Sequence, residues 1–122
     1  MTRPLHGTWT VTEVDQATVD RIAAAHAPDP LAIELAVDIV GDPNREDDDG
    51  YIWTRLHRAR DIRHVQPGCA VVMGSDIGTY VAKVIAWDFE VSDDDPIVTL
   101  ELVPLSPEAL ASALARRRTP AA

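Results

Sequence analysis

From Arg55 to His64 the chain reads Arg-Leu-His-Arg-Ala-Arg-Asp-Ile-Arg-His, four arginines and two histidines around a single acid. A guanidinium is permanently charged and presents a planar fork of donors, so arginines at this density suit a bidentate grip on phosphates or carboxylates. Just upstream, Tyr51 and Trp53 supply the aromatic types that dominate interface energetics, on a strand that should lie beside the basic stretch. The candidate binding surface is therefore Tyr51, Trp53, Arg55, His57, Arg58, Arg60, Arg63 and His64. The competing expectation is internal pairing with the chain's own acidic loops, Asp47 to Asp49 above all, which would make a rim of exposed ion pairs worth little.

The rest of the chain carries the opposite sign. Twenty Asp and Glu face 11 Lys and Arg, a net charge of -9 at pH 7, so the mean field repels phosphate and anionic lipid. That argues against nucleic acid as the partner and favours another protein or self-association. The basic residues are nearly all arginine, and Ala, Asp, Val and Pro are abundant, as in chains from GC-rich bacterial genomes. Acids cluster in Asp42 to Asp49 and in Asp93-Asp94-Asp95, both interspersed with or flanked by Pro, Asn, Gly or Ser, and both are expected to be solvated loops.

Other chemistry is thinner. Cys69 could act as a nucleophile with His57 or His64, since a thiolate needs a nearby base and an electropositive setting. It follows Pro67-Gly68 and opens an apolar strand, however, where a cysteine is usually a small buried hydrophobe. His57, Asp61 and His64 have a spacing that would align metal ligands only on a helix, and four arginines oppose a divalent cation there. Asp42, Asn44 and Glu46 imitate the start of a calcium loop, but Asp47 stands where a glycine is needed and Trp53 where a glutamate is needed. Neither a phosphate-binding glycine loop nor a Gly-x-Ser-x-Gly or His-Glu-x-x-His motif occurs. No metal and no cofactor are expected.

The elements that must position these residues follow from periodicity. Thr8 to Val14 predicts a strand; Asp15 caps a short helix over residues 16 to 26, with Val19, Ile22, Ala23 and His26 on one face. Asp29-Pro30 could start a helix, but helical spacing from Leu31 would bring Glu34, Leu35 and Asp38 onto its apolar face; Leu31, Ile33, Leu35, Val37 and Ile39 instead alternate with polar Glu34 and Asp38, which predicts a strand over Leu31 to Val40 with those five side chains buried together. Tyr51 to Leu56 and Cys69 to Met73 predict further strands. Thr79 to Val91 predicts a long one with Val81, Ile85, Trp87 and Phe89 inward, long enough to bend around a barrel and serve both halves, with a bulge near Lys83 or Ala86 as the open alternative. Ile97 to Val103 closes the set, with Val98, Leu100 and Leu102 inward. Ser106-Pro107-Glu108 starts a C-terminal helix carrying Leu110 and Leu114.

The expected fold is α+β: a small, strongly bent antiparallel sheet or SH3-like barrel of five to six strands, with a short helix in the N-terminal half and a helix at the C-terminus. A chain of 122 residues that is 46% hydrophobic can bury one core, so residues 1–118 should form one domain and 119–122 a disordered tail. The absence of an apolar run of about 18 residues or of a secretory signal, and a lone cysteine, lead to the expectation of a soluble cytoplasmic protein without a membrane partner. The leading functional expectation is a non-enzymatic binding or adaptor domain, one component of a larger bacterial or phage assembly, by fold-level analogy. Behind it stand a nucleic-acid-binding barrel using the Arg55 to His64 patch and a small enzyme using His57, His64 or Cys69.

Overall fold

In chain order the elements are β1 (Thr10–Val11), α1 (Gln16–Ala25), α2 (Pro30–Leu35), β2 (Ile39–Val40), β3 (Ile52–Arg55), β4 (Ala70–Ser75), β5 (Gly78–Asp88) and β6 (Ile97–Leu102). Single 3-10 turns occupy Leu56–Arg58 and Ile62–His64. The computed structural model describes residues 10–103, so the helix expected from Ser106 and the first residues of the first strand lie outside the described residues. The fold is α+β, and its strands make one strongly curled, half-barrel sheet in the order β2-β4-β5-β6-β3, with β1 paired to β5. The sheet is not wholly antiparallel, because β2 arrives from α2 and runs parallel to β4. Its curl brings the two ends together. Ile39 of β2 bridges to Ala59 just beyond β3, and the Thr54 hydroxyl donates to the Val40 carbonyl at 2.9 Å.

The helix α1 forms where expected. Asp15 Oδ1 accepts from the Thr18 N–H at 3.2 Å, and Val19 and Ile22 are buried. Hydrogen bonds from the Thr18 side chain and N–H hold the Asp15 carboxyl below the usual carboxylate range.

Leu31 to Val40 departs from expectation. Instead of one strand, the segment makes α2 and then the two-residue β2. Asp29 Oδ1 accepts from the N–H groups of Leu31 at 2.8 Å and Ala32 at 3.3 Å, while Pro30 occupies a first-turn position whose missing N–H is no loss. Ala36 then turns left-handed at φ 57°, and the Val37 N–H closes the last turn on the Ala32 carbonyl at 3.0 Å. A good cap at one end and a reversal at the other outweigh alternation over so short a stretch. Consequently Ala32, Val37 and Ile39 are buried while Ile33 is 54% exposed, and the five alternating residues share no face. Asp38, expected outward, is buried too, its Oδ2 accepting the Val72 N–H at 2.8 Å.

The core lies inside the curl, and Trp87 is its largest wholly buried side chain. Its indole N–H donates to the Val65 carbonyl at 2.9 Å, so the polar edge is satisfied, and its ring meets Phe89 edge-on with centroids 6.2 Å apart. A bulge interrupts β5 between Val84 and Ala86, at one of the two places the sequence left open. By inserting a residue it reverses the side-chain parity, so Ala82 and Val84 join Trp87 in the core cluster, whereas Ile85 lies only half-buried outside it. The single face expected for Val81, Ile85 and Trp87 is therefore broken. Val98 and Leu100 of β6 point inward as expected, but Leu102 is 40% exposed.

Candidate functional site

Alternation along β3 buries Ile52 and Thr54 and leaves Trp53 and Arg55 half-exposed. Cross-strand pairing to Thr99 and Ile97 of β6 fixes their positions. The Arg45 guanidinium lies over the Trp53 ring, 5.4 Å from its centroid, close enough for a cation–π contact. Arg45 comes from the acidic loop before β3, and that loop is tied to the strand. The Trp53 N–H donates to the Arg45 carbonyl at 3.1 Å and the Asp47 N–H to the Tyr51 carbonyl at 2.8 Å. Asp47 Oδ1 in turn accepts the N–H groups of Asp49 and Tyr51, both at 2.9 Å. Two grooves meet at Trp53. One, of about 420 Å³, includes Tyr51, Ile85 and Ile97; the other, of about 450 Å³, includes Arg45, Arg58 and Leu31.

Beyond β3 the basic stretch divides. Arg55 and His57 converge on Asp95, which the turn between β5 and β6 delivers: Arg55 Nη2 lies 3.1 Å from Asp95 Oδ2, and His57 Nδ1 lies 2.8 Å from the same atom. The His57 backbone N–H adds a bond to Asp95 Oδ1 at 2.8 Å, and the Asp95 carbonyl accepts from Arg55 Nε and Nη2. Arg58 Nε donates to Asp29 Oδ2 at 2.7 Å, the same carboxylate that caps α2. Burial acts to raise the Asp29 carboxyl, but the hydrogen bonds from Arg58 and Leu31 more than reverse it and hold the group below the usual carboxylate range.

The second half of the stretch is differently placed. Arg60 is exposed, and among the described residues only its backbone is engaged, through an N–H donated to the Asp38 carbonyl at 2.8 Å. Arg63 Nη2 stands 3.8 Å from Asp20 Oδ1 and His64 Nε2 3.8 Å from Asp61 Oδ2, both beyond hydrogen-bond reach. Asp61 Oδ1 accepts the Arg63 N–H at 3.0 Å and so shapes the turn. Arg60 and Arg63 line a third groove of about 410 Å³ against α1 and α2.

The eight residues singled out in the sequence thus do not form one surface. Tyr51, Trp53 and Arg58 come together; Arg55 and His57 close on Asp95; Arg60 and Arg63 border a separate groove, and His64 is half-buried, facing Asp61. The carboxylates that hold the arginines are Asp95 and Asp29, not the Asp47 to Asp49 run. Sequence reasoning misses Arg45, which sits in an acid-rich loop, and the pairing of Asp29 with Arg58, because Asp29-Pro30 is considered there only as a helix start and set aside. Cys69 is buried in the core, while His57 is bonded to Asp95 and His64 faces Asp61. Among the described residues no three His, Cys, Asp or Glu side chains are grouped to hold a metal, and no helix is long and apolar enough to cross a membrane. No family model, no curated protein and no solved structure matches this chain.

Proposed function

We propose that the protein is a non-enzymatic binding module, an adaptor within a larger assembly, whose partner is another protein engaged along the strip Tyr51, Trp53, Arg45 and Arg58. The observation that carries this is Trp53 itself, half-buried, capped by a guanidinium and flanked by two grooves. An aromatic held in place by strand pairing and by a stacked arginine loses little freedom on binding, and tryptophan and arginine are the types that carry interface energy. Nucleic acid is the weaker candidate. The net charge is -9, and two of the arginines that would meet phosphate, Arg55 and Arg58, are already held by carboxylates. A small enzyme is a second reading, favoured by His57, whose imidazole is oriented by Asp95 beside a groove of about 500 Å³. The described lining of that groove holds no serine, threonine or cysteine to serve as nucleophile.

Immobilised wild type and Trp53→Ala, exposed to nuclease-treated extract of the native cell, test the proposal. A protein retained by the wild type and lost by Trp53→Ala is the expected result. Retention of nucleic acid before nuclease treatment, abolished by Arg58→Ala with Arg63→Ala and indifferent to Trp53, would replace it with the nucleic-acid reading.

A further inference from the structure

We infer that the groove between α1, the start of α2 and the Ile62–His64 turn docks an acidic segment of a protein partner that carries an apolar side chain beside its carboxylates. Ala23, His26, Pro28, Ile33, Arg60 and Arg63 are among its lining residues, none of which belongs to the Trp53 strip, so the inference goes beyond that strip and does not depend on it.

Two observations specify the occupant. The first is charge left over. The Arg60 guanidinium has no hydrogen bond or ion pair among the described residues, and Arg63 makes only the 3.8 Å approach to Asp20. The acid in the lining, Asp61, has one oxygen on the Arg63 N–H and the other facing His64. His26 Nε2 is engaged with the Ala59 carbonyl at 2.8 Å, which fixes that wall. Two guanidinium forks with free donors suit carboxylates or phosphates equally. The second observation separates those classes. Ile33 is 54% exposed at the edge of the same groove, with Pro28 and Ala23 nearby, and α2 presents it there because Asp29 and Pro30 start a helix where the alternation would have made a strand. A phosphodiester backbone has nothing to place on such a wall, whereas a Leu, Ile or Val next to an Asp or Glu fills it. The overall charge of -9 does not forbid an acidic ligand, because at physiological salt the field is screened within about 8 Å and the groove's own cations decide.

The test is a titration of the isotope-labelled full chain by NMR with three probes: a decapeptide alternating Glu and Leu, decaglutamate, and a ten-base single-stranded DNA. Saturable shifts at the amides of residues 23, 33 and 60–63 are expected with the Glu–Leu peptide, at least 10-fold weaker binding with the other two, and a loss of at least 10-fold in Arg60→Ala/Arg63→Ala. Trp53→Ala should titrate like the wild type. No saturable shift, full binding by the double variant, decaglutamate binding as well as the Glu–Leu peptide, or DNA binding more tightly would each overturn the inference. So would shifts centred on Trp53 and lost in Trp53→Ala, which would place the peptide on the strip. Failure here with a partner still captured through Trp53 sinks this groove alone.

Discussion

The two halves of the basic stretch have nearly the same composition and opposite fates. Arg55, His57 and Arg58 are fastened to Asp95 and Asp29, carboxylates brought from the β5–β6 turn and from the connection between the helices. Arg60 and Arg63, a few residues on, keep their guanidinium groups essentially uncommitted among the described residues. Charge counted along a sequence is therefore not charge available to a partner. What decides is whether the fold delivers a carboxylate within about 3 Å, and among the described residues it does so for the first half only.

Substitutions break or sharpen this contrast. The largest effect belongs to Asp29→Ala, which removes the cap of α2 and leaves the partly covered Arg58 without its acceptor. A loss of about 2 kcal/mol is expected, read as a fall of roughly 8 °C in thermal midpoint. Asp95→Ala frees Arg55 and His57 at a more exposed position and should cost about 1 kcal/mol. Acid titration probes the same pairing. Because the folded Asp29 carboxyl lies below its ordinary range, its stabilisation is complete above about pH 4 and is lost as pH falls through the depressed value. Wild type should thus lose stability on acidification more steeply than Asp29→Asn, and parallel curves would show the pair to be idle. The smallest effect is expected from Arg60→Ala, within about 0.5 kcal/mol in chemical denaturation, since nothing in the described fold is bonded to that side chain. A loss as large as that of Asp29→Ala would erase the contrast.

Much of this architecture was legible in the sequence. The strands β3, β4, β5 and β6 were found because each has either strict alternation or a clear turn before it; Gln66-Pro67-Gly68 closes with the Cys69 N–H on the Gln66 carbonyl and Gly68 at φ 93°. The helix α2 was misassigned because six residues are too few for periodicity to tell a helix from a strand, and the deciding information was the local capping by Asp29 and Pro30. The β5 faces are half right, since the sequence leaves a bulge open and shows nothing of its consequence for parity. At the site, residue types were legible and their grouping was not. Which arginine meets Asp95, Asp29 or solvent depends on the curl of the sheet and on contacts spanning about 30 to 40 residues of chain.

The proposal of a protein-binding strip centred on Trp53, with the internally paired Arg58 at its edge, stands or falls on Trp53→Ala measured beside Arg58→Ala with the purified partner, recording affinity and thermal midpoint together. The account predicts that Trp53→Ala weakens binding at least 30-fold, about 2 kcal/mol, while lowering stability by no more than about 1 kcal/mol, and that Arg58→Ala destabilises the fold more than Trp53→Ala does. Unchanged affinity in Trp53→Ala would contradict it.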